Sequence, residues 1–184
     1  MNKFKLYLIR IFQLCVYFLL GGVSYAKLLG AKVGNNCRIY SYSLGSEPFL
    51  IEIGDYVTIT SGVRILTHDG ATWLMRDKKG RRFLYKKVII KNNVFVGVNS
   101  IIMPGVIIED NVIVAAGSVV TKSIPQGSVV AGNPAKIISK YKDIEAKALS
   151  EYVSEKDIDY KLPYKARVLA ILTHSSKEFM KNND

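Results

Sequence analysis

The 184 residues are 49% apolar with only 5 prolines, which fits one packed domain with modest extensions and excludes a disordered chain. A formal net charge of +11 asks for an anionic partner, such as nucleic acid, a membrane surface or a phosphorylated ligand. Two cysteines, Cys15 and Cys37, build no disulfide framework and suit a reducing, cytoplasmic location.

Residues 1–30 form the first segment, basic at Lys3, Lys5 and Arg10 and then apolar through IFQLCVYFLLGGVSYA. Val23-Ser24-Tyr25-Ala26 matches a signal cleavage site poorly. Gln13 and Gly21-Gly22 leave an apolar run too short to span a bilayer comfortably. The segment is expected to be a helix lying on the end of the following domain, or on the inner membrane surface as a peripheral contact through residues 1–29. Sequence leaves both open.

From Val33 the chain takes up a six-residue rhythm, through Val33-Gly34-Asn35-Asn36-Cys37 and Ile39, with Cys37 in a small inward slot. The rhythm breaks over Tyr40–Leu50, which reads as a loop or an irregular rung. It returns at Ile53-Gly54-Asp55-Tyr56-Val57 and runs to Ile65. Residues 67–87 abandon it again, as an excursion with Thr67-His68-Asp69-Gly70 at its root, the single Trp73, and dense Arg and Lys. Such insertions project from one face of a repeat array, often the binding face.

The rhythm is clearest from Ile90 to Pro125. Read in sixes it runs IKNNVF, VGVNSI, IMPGVI, IEDNVI, VAAGSV, VTKSIP. Ile90, Val96, Ile102, Ile108, Val114 and Val120 open the blocks, and Val94, Ser100, Val106, Val112, Ser118 and Ile124 stand four places on. The fifth position of one block and the first of the next lie two apart and point the same way in an extended segment. Turn formers such as Lys91-Asn92-Asn93 and Met103-Pro104-Gly105 separate the pairs. Buried strands of an ordinary α/β sheet would need long crossovers between them, and no gap here exceeds a tight turn. The pattern predicts an all-β solenoid over 31–138, a parallel β-helix of hexapeptide repeats.

VFVGVNSIIMPGVIIEDNVIVAAGSVVTKSIPQGSVVAGNPAKII resembles the hexapeptide-repeat acyltransferases, a family that includes the maltose and galactoside O-acetyltransferases. AGSVVTK followed by VVAGNPAK is the most specific part, and the resemblance covers roughly residues 30–140. It implies a left-handed coil, a homotrimer, and acetyl-CoA as co-substrate in a groove between neighbouring subunits. The positions matching that groove are Gly97, Val98, Ala115, Ala116, Thr121 and Lys122, with Lys136 beyond. Many relatives carry Trp where Phe95 stands, so the apolar contact is kept with less area. Small residues at Gly97, Ala115 and Ala116 also suit tight corners for structural reasons alone.

A lone loop histidine is ordinarily solvated, but the resemblance places a catalytic histidine at the start of just such an insertion, which makes His68 the expected general base. A neutral imidazole can take the proton of a sugar hydroxyl as it attacks a thioester. Asp69 is a candidate to orient it, although adjacency in sequence makes that geometry awkward. A backbone N–H at the Gly97-Val98 turn is the expected oxyanion donor. No acyl-enzyme is expected, and no metal, because no cluster has ligand spacing.

Arg76 to Lys87 holds seven cations and one acid, Asp77, and reads either as a solvated face or as a site for an anionic acceptor. A saccharide, or a nucleotide- or lipid-linked sugar, is expected there rather than nucleic acid, for no recognition helix or stacking platform accompanies the charge. The function expected is O-acetylation of a saccharide in capsule, O-antigen or exopolysaccharide synthesis. The alternatives are N-acetylation of an amino-sugar nucleotide and a non-transferase protein of the same fold. Residues 139–184 are expected as a helical extension. Lys136–Lys156 is helix-compatible, Tyr164–Met180 is a second helix suited to cap the coil, and His174 is a surface residue.

Overall fold

The structure, a computed structural model, describes residues 3–172, with side chains from Tyr7 onward. It divides into two units, Met1–Asp143 and Ile144–Asp184. His174 lies outside the described residues, and the helix expected over Tyr164–Met180 already ends at Ala170, with Ile171 as its C-cap.

The first unit is a three-faced coil of short strands, numbered in chain order. Face one holds β1 (Lys32–Val33), β3 (Ile51–Ile53), β8 (Val88–Ile90) and β11 (Ile107–Ile108). Face two holds β2 (Arg38–Ile39), β4 (Thr58–Ile59), β9 (Val94–Val96), β12 (Val112–Val114) and β14 (Ser128–Ala131). Face three holds β5 (Arg64–Ile65), β10 (Ile101–Ile102) and β13 (Val119–Val120). The chain visits the faces in rotation. Neighbours within a face pair in parallel, with Phe95 opposite Ile113, Ile89 opposite Ile107 and Ile101 opposite Val119.

The inward positions read from the hexapeptides form the core. All twelve residues from Ile90 to Ile124 at the first and fifth positions are 4% exposed or less. Two of them are serines, and both hydroxyls donate to one carbonyl, Ala115 O, at 3.0 Å from Ser100 and 2.6 Å from Ser118. Their burial therefore leaves no unpaired polar group.

At the corner leading from face one to face two, side chains do part of the pairing. Asn35 N donates to Asp55 Oδ1, Asp55 N to Asn92 Oδ1, and Asn92 N to Asp110 Oδ1, at 2.6–2.9 Å. One coil's turn is thus held by the Asx side chain of the next.

Helix α1 (Lys3–Leu28) is broken at Gly21, whose φ of 82° and ψ of 168° are not helical. Its C-terminal part covers the start of the coil, with Tyr25 and Ala26 buried. A Cβ at Gly22 would fall 1.9 Å from Ile39 O, so only glycine permits this approach. Tyr17 Oη donates to Tyr40 O and Tyr25 Oη to Tyr42 O.

Two expectations need correction. Residues 136–140 open no helix: β15 (Lys136–Lys140) turns back antiparallel on β14 and gives the last edge of face two a partner, and helix α2 (Tyr141–Glu151) starts only afterwards. Cys37 is half-buried rather than in the core, its Sγ 3.0 Å from Gly54 O. In the second unit, helix α3 (Tyr164–Ala170) places Arg167 over the rings of Tyr160 and Tyr164.

Candidate functional site

Tyr40–Leu50 takes the place of a face-three strand in the first coil. Ser41 Oγ donates to Val63 O at 2.7 Å and Leu44 is fully buried, so the segment lies along β5. A Cβ at Gly45, whose φ is 69°, would fall 2.6 Å from Ile65 O. This course delivers Glu47 to the corner where the chain leaves β5.

At that corner the buried Thr67 donates from Oγ1 to Glu47 Oε2 at 2.6 Å, and His68 Nδ1 lies 2.9 Å from the same oxygen. The Glu47 side chain is 17% exposed and that of His68 is 40% exposed. Burial works against ionisation of Glu47, but hydrogen bonds from Thr67 and His68 and the charge of the imidazole outweigh it, holding its pKa below the ordinary carboxylate value. An ionised carboxylate only accepts, so Nδ1 carries a hydrogen, which in the neutral imidazole puts the lone pair on Nε2.

Asp69 does not orient His68. Its carboxylate accepts from Ala71 N at 2.9 Å and caps the short helical turn Gly70–Leu74. Glu47, twenty-one residues from His68, takes the position considered for Asp69.

The excursion is a closed structure. Its stem pairs His68 with Tyr85 and ties Lys86 N to Thr67 O at 2.8 Å. Beyond the stem, β6 (Arg76–Asp77) and β7 (Gly80–Arg81) form a small hairpin with Lys78 and Lys79 at its tip. The guanidiniums of Arg76 and Arg81 lie 4.4 and 4.6 Å from the Trp73 ring, and Arg81 also lies over Phe83. Phe83 stacks on Tyr85, which approaches His68 at 6.0 Å. Arg82 pairs with Asp77. The arginines of the basic run thus hold the loop together, while the tip lysines face solvent.

The residues matched to a donor groove fall on two corners. Gly97, Val98, Ala115 and Ala116 share the corner between faces two and three. A Cβ on Gly97 would meet Ala116 N at 2.5 Å, and Gly117 N donates to Val98 O at 2.8 Å. Gly97 N donates to Val114 O, so the Val98 N–H is the one this turn offers as an oxyanion donor. Thr121 and Lys122 stand at the next corner, between faces three and one, above Met103-Pro104-Gly105. Lys122 lines a cavity of about 180 Å³ with Ala135 and Ile137, the neighbours of Lys136. Phe95 is 42% exposed on β9.

Face three joins the two corners. Along it runs an open cleft of about 650 Å³, lined by Ser41, Tyr42, Ser61, Arg64, Leu66 and Asn99 among others. Its hydroxyls, amide and single guanidinium suit a polyhydroxylated, negatively charged molecule. Neither Glu47 nor Arg64 belongs to a motif, so nothing in their spacing pointed to them. Only the broken rhythm at Tyr40–Leu50 marked the segment that brings Glu47 in.

A family model described as the hexapeptide repeat of succinyl-transferase matches residues 87–122. Protein CapG of Staphylococcus aureus is 49% identical over 135 residues, which are 72% of this chain and 78% of that protein. A galactoside acetyltransferase solved in complex with coenzyme A is 28% identical with a TM-score of 0.54, over 72% of this chain and 74% of its own. A hexapeptide-repeat acetyltransferase of Vibrio cholerae O1 biovar eltor, complexed with acetyl coenzyme A, is 26% identical with a TM-score of 0.50, over 66% and 76%.

Proposed function

Because this chain belongs to the hexapeptide-repeat acyltransferase family, we propose that it is an O-acetyltransferase, its coil left-handed, moving the acetyl group of acetyl-CoA to a saccharide hydroxyl. The acceptor is a precursor of a surface polysaccharide of the capsule, O-antigen or exopolysaccharide kind, met on the cytoplasmic side. The observation that carries this reading is the Glu47–His68 pair, which orients His68 with Nε2 as proton acceptor at the corner where the chain leaves face three.

In this mechanism the acceptor lies in the face-three cleft with its hydroxyl hydrogen-bonded to His68 Nε2. Nε2 takes the proton as the oxygen attacks the thioester carbonyl, and Glu47 stabilises the imidazolium that forms. The tetrahedral oxyanion is met by the Val98 N–H. The carbon–sulfur bond then breaks, and the thiolate of coenzyme A recovers the proton from His68. No group on the enzyme is acylated, so both substrates are bound together.

Gly97, Ala115 and Ala116 admit the pantetheine arm close to the backbone, and Lys122 and Lys136 meet the nucleotide phosphates. Val98 and Met103 stand at opposite ends of face three, five residues of strand or roughly 17 Å apart. A homotrimer resolves this separation by setting one subunit's donor corner against its neighbour's His68.

The test is release of coenzyme A thiol by the full chain from acetyl-CoA, over a panel of nucleotide-sugars and lipid-linked sugars. An acceptor-dependent release giving an alkali-labile acetyl ester is expected. Release that ignores every acceptor, or an alkali-stable acetamide product, overturns O-acetylation.

A further inference from the structure

The first forty-six residues contain six cations and no carboxylate; the first acid of the chain is Glu47. By length and composition Tyr7–Leu28 could cross a membrane. The fold forbids that use of it. The helix breaks at Gly21, and the part beyond is clamped on the coil, with Tyr25 and Ala26 buried. The helix ahead of the break runs from Lys3 to Leu20, but Lys3, Lys5 and Arg10 leave only Ile11–Leu20 free of charge, about 15 Å at 1.5 Å per residue. A hydrocarbon core is about 30 Å thick, so this piece is too short to span.

Its two sides differ. Gln13, Val16 and Tyr17 are half-buried and turned to the domain, where Tyr17 reaches Tyr40 O and packs edge-on against Tyr25 and Tyr42. Leu8, Ile11, Phe12, Cys15, Phe18 and Leu19 recur at helical spacing on the other side, and all are exposed, Phe18 at 78% and Leu19 at 81%, as are Tyr7, Ile9, Leu14 and Leu20 outside this stripe. Nothing in the coil covers this stripe. Lys3, Lys5 and Arg10 stand at the end of the helix farthest from the coil.

We propose that α1 anchors the protein to one leaflet of an anionic bilayer, its Leu8–Leu19 stripe sunk at the headgroup boundary and Lys3, Lys5 and Arg10 against the phosphates. An apolar face with a cationic flank and no acid matches lipid headgroups of negative charge, whereas a second copy of the same helix would bring like charges together. The helix lies in the interface without crossing it, and the domain stays on one side. This inference is independent of the acetyl-transfer reading, because its readout involves no acceptor.

Cys15 lies in the stripe and supplies the probe. In a Cys37→Ser chain, an environment-sensitive fluorophore on Cys15 is titrated with vesicles of phosphatidylcholine alone or with one third phosphatidylglycerol. A blue shift is expected with the anionic vesicles, at an apparent affinity about tenfold or more above that for the neutral ones. Lys3→Gln/Lys5→Gln/Arg10→Gln is expected to remove that preference. Unlabelled Phe12→Ser/Phe18→Ser/Leu19→Ser is expected to stay in the supernatant when anionic vesicles are sedimented, while its melting temperature matches that of the parent. No shift with either vesicle overturns the proposal, as does equal binding to both. A shift already present without lipid, rising with protein concentration, assigns the stripe to a second copy and overturns it too.

Discussion

His68 Nδ1 and Glu47 Oε2 meet at 2.9 Å across twenty-one residues of chain, the glutamate carried in by a segment that stands where a face-three strand would be. The same oxygen accepts from Thr67 Oγ1, so the carboxylate is fixed before the imidazole is. An orienting group held this way sets both the tautomer and the direction of Nε2.

If Glu47 positions the base, Glu47→Gln should lower kcat by about tenfold or more, because the amide carries no charge to stabilise the imidazolium. The KM for acetyl-CoA should hold, since Glu47 touches no residue of the donor corner. Glu47→Asp should recover part of the rate. A kcat unchanged in Glu47→Gln would make the pair merely structural.

The pair also has a pH signature. The folded pKa of Glu47 is lowered, with burial opposed and outweighed by the hydrogen bonds of Thr67 and His68. Its contribution to stability is therefore complete above the ordinary carboxylate value, about 4.3, and is lost as pH falls through the lower folded value. The melting temperature of the wild type should drop more steeply than that of Glu47→Gln as pH falls from about 5 toward 3. Parallel curves would show that the carboxylate contributes nothing to the fold.

His68→Ala should cost about a hundredfold or more in kcat, the scale of a lost general base. Coenzyme A affinity, read by calorimetry, should stay within about twofold, because His68 and the Gly97–Ala116 corner stand on different vertices. Transfer at the wild-type rate would remove His68 from the mechanism.

The coil was legible because its rule is local: two inward aliphatics, a turn, and repetition. Ser100 and Ser118 obey it despite their polarity, since a single carbonyl, Ala115 O, satisfies both. The place of His68 at the stem of the excursion was legible from where the rhythm fails. Glu47 was not, because its role depends on Ser41 and Leu44 docking along β5, which no spacing announces. Asp69 was misread for a related reason: an Asx residue opening a helical turn satisfies the backbone N–H two residues on before it can reach a neighbouring ring. Lys136–Lys140 looked helical by composition, yet the uncovered edge of β14 takes it as a strand.

Gly97 tests the donor corner. A methyl there would stand 2.5 Å from Ala116 N and 2.8 Å from Ala115 C, both backbone atoms that cannot swing away. Gly97→Ala should destabilise the fold by about 1–3 kcal/mol, the range of overpacking, and raise the KM for acetyl-CoA several-fold. Gly117→Ala shares the corner but has nothing within 4 Å of its Cβ position, and its φ of 71° makes its cost conformational. It should therefore lower stability with little change in donor KM. Equal effects on donor KM would separate the groove from Gly97.

The basic excursion separates the acceptor readings, and its internal contacts decide which residues are fit for the test. Arg76 and Arg81 both lie over the Trp73 ring, and Arg82 pairs with Asp77, so neutralising any of them would also loosen the loop. Lys78 and Lys79 stand exposed at the hairpin tip, and Lys79 uses only its backbone N–H, to Asp77 Oδ1. Lys78→Ser/Lys79→Ser should therefore remove charge and leave the fold alone. If the acceptor carries phosphate, its KM should rise several-fold in this variant while the KM for acetyl-CoA stays put. Rising salt should reproduce the effect in the wild type, since exposed charges are screened over about 8 Å at physiological ionic strength. Trp73→Ala is the contrasting variant: it keeps every charge but removes the ring that Arg76 and Arg81 lie over, and should shift the loop's protease sensitivity as well as acceptor KM. An acceptor KM indifferent to both the lysine variant and salt would leave the hairpin tip a solvated surface and direct the search toward neutral saccharides bound in the face-three cleft.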